Sequence, residues 1–402
     1  MSDLQGLLGS TEFQMSLLLS VALAGYLIAY GINQSAVVGI ILVGIIVGPS
    51  LLGLVTYTDF VASLARLGAV VLLFTIGLEF EFKEITQLRY GVIALVGIIV
   101  PWGTGYWLAS AFHFGFSAAV FIGTAVTATS IAITANVLDE MGKLKTRAAR
   151  AIMGAAIIDD VLALLALTVS EQLVSGSLNG VEILIGLGKA VGFLFVLVFP
   201  LRLLLRRVMR WFDGTNVARK YPETIFIFAM IVAFLYAIGA ESAGLSAVVG
   251  SFLAGVSFAS IELRQGRVFH EGADYLKIIF ASIFFVSLGV LLDIHVITGS
   301  LVVFIVALTA VAAVGKIVGC GVPALFYRYN VREASIIGVG MMPRGEVAMI
   351  VALIGFSRGW IQQDTYAALV LMALLTTVIP PLILRNWLFE RQPTSPPDKA
   401  KA

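Results

Sequence analysis

Charge is what this sequence has least of. Only 12% of its 402 residues are Asp, Glu, Lys or Arg, whereas 59% are hydrophobic. A soluble domain carries about 25% charged residues, and much of any folded surface stays in contact with its solvent. The shortage excludes a water-soluble globule and makes lipid the expected solvent. Cysteine is almost missing, and the lone Cys320 excludes an internal disulfide framework. His113, His270 and His295 fall in loops or at helix ends with no second His or Cys at ligand spacing, which argues against a zinc-type centre. No Gly-rich loop ends in Gly-Lys-Ser/Thr: Gly315-Lys316 runs on into Ile317 inside an apolar stretch. Neither nucleotide hydrolysis nor any other enzyme activity, nor a cofactor, nor a nucleic-acid partner is therefore expected. Met1 to Gln14 holds Asp3 and Glu12 but no basic residue, so the first apolar segment is expected to be retained rather than cleaved as a signal peptide.

What is present is a series of thirteen apolar segments: 13–31, 36–55, 59–79, 90–112, 116–138, 147–173, 180–205, 222–240, 244–261, 274–293, 298–326, 332–356 and 365–387. Each reads as a helix crossing a core of about 30 Å at about 1.5 Å per residue. If the loops alternate sides, one side holds only Arg358 and the other holds twenty-one basic residues, from Lys83 and Arg89 to Lys399 and Lys401. Positive loops stay in the cytoplasm, so the N-terminus is expected outside and the C-terminus inside. No loop has room for a soluble domain, and the tail after Arg391, with Pro393, Pro396 and Pro397, reads as disordered.

Six charges remain within the segments: Arg66, Asp159, Asp160, Lys316, Arg344 and Glu346. Each costs about 2.5–3.5 kcal/mol at mid-bilayer on insertion scales. Arg66 lies in the outer third of its segment, where it and Lys189 in segment seven have the reach to snorkel outward. Asp159 and Asp160 lie midway along segment six and cannot do so. A structural ion pair explains one of them but not both, so the pair marks a function. Neighbours on a helix point about 100° apart. One carboxylate is then free to face protein while the other faces a cavity. Lys316, mid-span in segment eleven between Gly315 and Gly319, is the natural partner; a fixed salt bridge that only holds helices together is the plainer reading of it.

Two segments are poor continuous helices. Segment twelve strings together Gly338, Gly340, Pro343, Arg344, Gly345 and Glu346, and segment five carries Thr124, Thr127, Thr129 and Ser130. Proline removes a donor and glycine costs about 1 kcal/mol against alanine, so a break is expected, with hydroxyls serving freed backbone groups or a cation. The two suspects stand seven segments apart. An odd offset means inverted copies, the pattern of secondary transporters that bind near the midplane. Arg344 and Glu346 are placed to compensate the exposed helix-dipole ends.

Gly48-Pro49-Ser50-Leu51-Leu52-Gly53, Phe74-Thr75-Ile76-Gly77-Leu78-Glu79, Ala128-Thr129-Ser130, Ile157-Ile158-Asp159-Asp160, Gly315-Lys316 and Pro343-Arg344-Gly345-Glu346-Val347 occur in this order across nearly the whole chain. With them the sequence resembles the monovalent cation–proton antiporters of the NhaA-type fold, nearest the NapA-like branch. The resemblance implies an all-α membrane protein of thirteen helices with two crossed discontinuous helices. It implies dimer-domain helices in 1–85 and 216–293, core-domain helices in 86–175 and 294–390, a linker helix in 176–215 and the tail 391–402. It also implies a homodimer in a prokaryotic inner membrane.

By the same resemblance, Asp160 is the carrier for Na+ and H+, and Asp159 pairs with Lys316. Thr129 and Ser130 belong to the first crossover and Glu346 to the second. The Na+ site then falls on Asp160, Asp159, Thr129 and Ser130, with Lys316, Glu346 and Arg344 as the supporting charges. Asp-Asp, rather than Asn-Asp or Gln-Asp, is similar to electrogenic exchangers of two protons for one sodium, although K+ as cargo stays open. An intramembrane aspartyl protease needs its carboxylates on two helices, a bile-acid-type symporter needs an organic-solute pocket, and a channel needs a filter loop. The sequence favours none of these.

Overall fold

The apolar stretches fold as helices, and their ends fall where the sequence supplies caps or breakers. A computed structural model describes residues 10–81, 87–176, 179–196, 201–221, 223–259, 261, 266–292, 295 and 299–389, and no strand occurs among them. In chain order the helices are α1 (Thr11–Gly31), α2 (Ala36–Val47), α3 (Asp59–Gly77), α4 (Leu88–Ala111), α5 (Phe116–Ala125), α6 (Ile131–Glu140), α7 (Arg147–Ser175), α8 (Gly180–Val196) and α9 (Arg202–Asp213). They continue as α10 (Asn216–Lys220), α11 (Glu223–Ser242), α12 (Ala247–Ala259), α13 (Gly266–Val290), α14 (Gly299–Phe326), α15 (Val331–Gly340), α16 (Glu346–Ser357) and α17 (Gln363–Ile383). Eight of these are long and apolar enough to cross a membrane, and four shorter apolar helices accompany them among the described residues.

Starts are set by hydroxyl and amide caps, which satisfy otherwise orphaned N–H groups. Thr58 accepts from the Val61 amide and Thr146 from the Ala149 amide, while Asn330 and Glu333 form a reciprocal capping box. Breaks are set by glycine and proline. The helix expected over 36–55 stops at Val47, because Pro49 has no N–H and restricts the residue before it. Segment five divides into α5 and α6 around Val126–Ser130, and segment twelve into α15 and α16 around Met341–Gly345. Segment seven is observed as α8, followed after 197–200 by the Arg-rich α9. Lys83, Arg264 and the tail from Arg391 lie outside the described residues.

Packing gathers the helices into two groups. In one, α4 packs on α14 and α7, α14 on α15 and α17, and α16 on α5 and α17. In the other, α3 packs on α12 and α13, α2 on α1 and α13, and α11 on α12. The second group packs unusually close: a Cβ at Gly77 or Gly255 would overlap the main chain of the facing helix in the α3–α12 contact. Small residues at such crossings let backbones approach, the usual source of helix affinity in lipid. α6 and α17 bring the first group against α2 of the second, α6 also touches α3, and α8 touches both groups through α7 and α11. Leu23, Leu27, Val303 and Val306 are exposed on outer faces, where lipid is the only medium that suits them.

Polar ties between the two groups collect at the end that carries the basic loops. Glu140 accepts from Ser35 Oγ at 2.6 Å and from the Ala36 amide at 3.2 Å. Lys277 pairs with Asp139 at 2.8 Å. Arg385 donates to Asn33 at 3.2 Å, and Asn386 exchanges amide hydrogen bonds with Gln34 at 3.3 and 3.4 Å.

Candidate ion-binding site

α7 carries the two adjacent aspartates, and the turn of the helix separates their surroundings. Asp159 points to α14, where the Lys316 ammonium donates to its Oδ1 at 2.7 Å. Both side chains are sealed, with exposures of 1% and 0%. Close packing of α4 against α14 makes this dry site. A Cβ on Gly315 would stand 3.2 Å from Pro101 Cα, and one on Gly319 would stand 3.0 Å from the Val96 carbonyl. Cys320, one helical turn from Lys316, fills the notch left by Gly97. Desolvating two ions costs several kcal/mol each, and only a close, well-oriented pair offsets it.

Asp160 turns the other way and is partly exposed. It lies on the floor of a cavity of about 520 Å³, whose walls include Tyr57, Arg66, Glu241 and Tyr366 at the end opposite the basic loops. Arg66 and Glu241 form an ion pair there, so Arg66 meets a carboxylate at the end of α11 as well as solvent. Asp160 Oδ2 accepts a hydrogen bond from the Ser246 amide at 2.8 Å. Ser246 immediately precedes α12, and its own hydroxyl accepts from the Val248 amide at 3.1 Å, in the manner of an N-cap. This contact was not legible beforehand, because a main-chain donor leaves no mark in the side-chain pattern.

A second, small cavity of about 20 Å³ joins Asp160 to Thr129 and Ser130, and Val248, Val249 and Phe284 close it. Its size suits roughly one water molecule. Asp159 lines neither cavity. Of the four residues expected around Na+, the structure therefore gathers Asp160, Thr129 and Ser130 and sets Asp159 on the lysine side.

The two helix breaks lie against each other beside this site. The Ser130 amide donates to the Pro343 carbonyl at 2.8 Å, Thr134 Oγ1 to the Gly340 carbonyl at 2.6 Å and Thr129 Oγ1 to the Met341 carbonyl at 3.4 Å. Within the first break, Thr127 Oγ1 takes up the Thr124 carbonyl at 2.7 Å. Carbonyls at the ends of α5 and α15 carry the negative pole of each half-helix. Arg344, itself 1% exposed, donates to the Met342 carbonyl at 2.5 Å and to the Ala312 carbonyl at 3.1 Å. Thr377 Oγ1 holds the Arg344 carbonyl at 2.7 Å. Glu346 opens α16, but its side chain lies outside the described ones.

A family model described as "Sodium/hydrogen exchanger, transmembrane" matches residues 18–390. The Na(+)/H(+)-K(+) antiporter GerN of Bacillus cereus is 33% identical over 376 residues, spanning 93% of this chain and 95% of that one. The Na(+)/H(+) antiporter of Enterococcus hirae is 30% identical over 358 residues, spanning 87% and 91%. Among solved structures, that of the sodium proton antiporter MjNhaP1 from Methanocaldococcus jannaschii at pH 8 superposes with a TM-score of 0.65 at 16% identity, covering 93% of this chain and 96% of that one.

Proposed function

The chain belongs to the sodium/hydrogen exchanger family, and we propose that it exports Na+ (or Li+) in exchange for H+ by alternating access, with Asp160 as the shared, competing carrier. One observation carries the reading. Of two adjacent carboxylates, Asp160 alone stands at the floor of the large cavity, next to Thr129 and Ser130, while Asp159 is locked on Lys316. Hard cations take oxygen ligands, and the Asp160 carboxylate with the Thr129 and Ser130 hydroxyls or main-chain oxygens offers them. A proton and a cation cannot both occupy that carboxylate, so loading one expels the other. Asp159 acts through its ion pair: cation binding loosens its hold on Lys316, which lets the pair give up the second proton of an electrogenic cycle.

In this reading the protein sits in a prokaryotic inner membrane with the tied end of the bundle on the cytoplasmic side, as the basic loops favour, and the large cavity opens outward. Thirteen crossings, the two crossed broken helices, the division into a moving group (α4–α7 with α14–α17) and a scaffold (α1–α3 with α11–α13), α8 as linker and a homodimer built on the scaffold complete the proposal. It is supported by the two helix breaks and the two packing groups. Glu346 is assigned with Arg344 to the charge balance of the breaks.

K+ in place of Na+ is the second reading, favoured by a relative whose name couples Na(+)/H(+) and K(+). Proteoliposomes with a trapped pH gradient and a pH-sensitive dye, challenged with Na+, Li+ or K+, test both. A cation-evoked collapse in the native protein that vanishes in Asp160→Asn is the expected result, and its ranking of cations decides between the readings. Normal exchange by Asp160→Asn would end the carrier assignment.

A further inference from the structure

An exchanger must not let its empty carrier cross back, or cargo leaks without counter-transport. The loop between α11 and α12 touches the carrier helix at three successive points. Gly244, at φ +83°, sets the loop so close to α7 that a Cβ there would stand 2.9 Å from Leu164 Cδ2. The buried Leu245 packs in one cluster with Val161. The Ser246 amide donates to Asp160 Oδ2 at 2.8 Å. Asp160, Val161 and Leu164 lie at helical spacing on one side of α7. The loop belongs to the group of helices built on α3, α11, α12 and α13, and α7 belongs to the other. Ser246 also opens α12, so the Asp160 carboxylate faces the positive end of a helix dipole.

We propose that Gly244–Leu245–Ser246 is a latch for the unloaded carrier: the Ser246 amide is a positioning group that holds the empty Asp160 carboxylate on the scaffold and lets go once cargo is bound. The inference rests on Asp160 being the carrier. A hydrogen bond to an ionised acceptor is about twice as strong as one between neutral groups, so the latch grips the empty site hardest. A bound cation, in contrast, competes for the same oxygen and is repelled by the helix N-terminus. Of the other charged and phenolic groups around the cavity, Arg66 is paired with Glu241, and Tyr57 and Tyr366 stand in the walls. Asp159 is held by Lys316 on the far side of α7.

The test uses the full chain in proteoliposomes loaded with radioactive sodium, at one fixed alkaline pH and with the voltage clamped. Two fluxes are read from the same vesicles: exchange against external Na+, and net efflux into medium lacking any transported cation. Replacing the Ser246 amide by an ester removes the donor while keeping every side chain, and Gly244→Ala strains the loop at its positive φ and crowds Leu164. Net efflux relative to exchange is expected to rise about tenfold with the ester, as loss of one charge-assisted bond implies, and to rise less in Gly244→Ala. In the native protein, deuterium uptake of peptides across Leu245–Val249 is expected to be slower without Na+ than with saturating Na+ at the same pH. An unchanged flux ratio in the folded variants, or equal deuterium uptake with and without Na+, overturns the latch. An Asp160→Asn protein that still exchanges Na+ would instead remove the carrier reading beneath it, whereas a dead Asp160→Asn with an unchanged ratio removes the latch alone.

Discussion

Asp159 and Asp160 are neighbours in the chain, yet the two sides of α7 that they face have almost nothing in common. On the Asp159 side the protein is dry: an ammonium at 2.7 Å, a cysteine filling a glycine notch and two helices at close approach. On the Asp160 side there is a cavity of about 520 Å³ and a main-chain donor from another helix group. Identical side chains are thus given different chemistry by rotation about one helix axis. A carboxylate locked to a buried lysine must break an ion pair before it can take cargo, whereas the Asp160 carboxylate already faces a cavity and its main-chain partner is a single amide from the other helix group.

The sharpest way to break the comparison is to exchange the roles. Asp160→Asn is expected to reduce cation-evoked proton movement in proteoliposomes to background. Asp159→Asn is expected to leave a measurable residual exchange with an altered proton-to-cation ratio, read from reversal potentials. A similar loss in both would erase the distinction. Next in size is the dry side itself. Lys316→Met leaves Asp159 buried without a partner and is expected to cost about 3–5 kcal/mol, seen as a lower unfolding temperature in detergent. The double replacement with Asp159→Asn should recover most of that loss. Single and double variants of equal stability would mean that the pair contributes little.

A smaller effect is expected where the two breaks meet. A Cβ on Gly345 would lie 2.6 Å from Ser130 Oγ and 2.7 Å from Ser130 Cβ. Gly345→Ala is therefore expected to cost about 1–3 kcal/mol through overpacking and to raise the KM for the cation by displacing Ser130 from Asp160. An unchanged KM would detach Ser130 from the site. Smallest of all is the pair at the mouth of the cavity. Arg66 and Glu241 are 62% and 38% exposed, and exposed pairs contribute about 0–1 kcal/mol. Glu241→Gln is expected to shift the unfolding temperature by less than the spread between replicates.

The sequence made the helices, their breaks and the aspartate–lysine pair legible because each leaves a residue-type signature. Long apolar runs need lipid, Gly338 to Gly345 cannot stay helical, and three charges without an escape route need one another. Helix lengths were less legible: the run 36–55 reads as one crossing, but Pro49 stops it after twelve residues of helix. Least legible were the contacts made by main chain or between distant polar residues, such as Ser246 to Asp160 and Glu140 to Ser35 and Ala36. Ser, Gln and Asn near a helix end look like ordinary loop residues until the fold shows what they face.

The bond from the Ser130 amide to the Pro343 carbonyl has a consequence for genetics. It joins the two breaks at 2.8 Å without using any side chain, so every substitution at position 130 except proline preserves the donor, and position 343 offers its carbonyl whatever residue stands there. A mutational scan across these residues will score hydroxyls, volumes and ring constraints while leaving that joint untouched. Tolerance at positions 130 and 343 would thus say little about whether the joint matters. Backbone chemistry, such as an ester at position 130, is the kind of allele that can expose it.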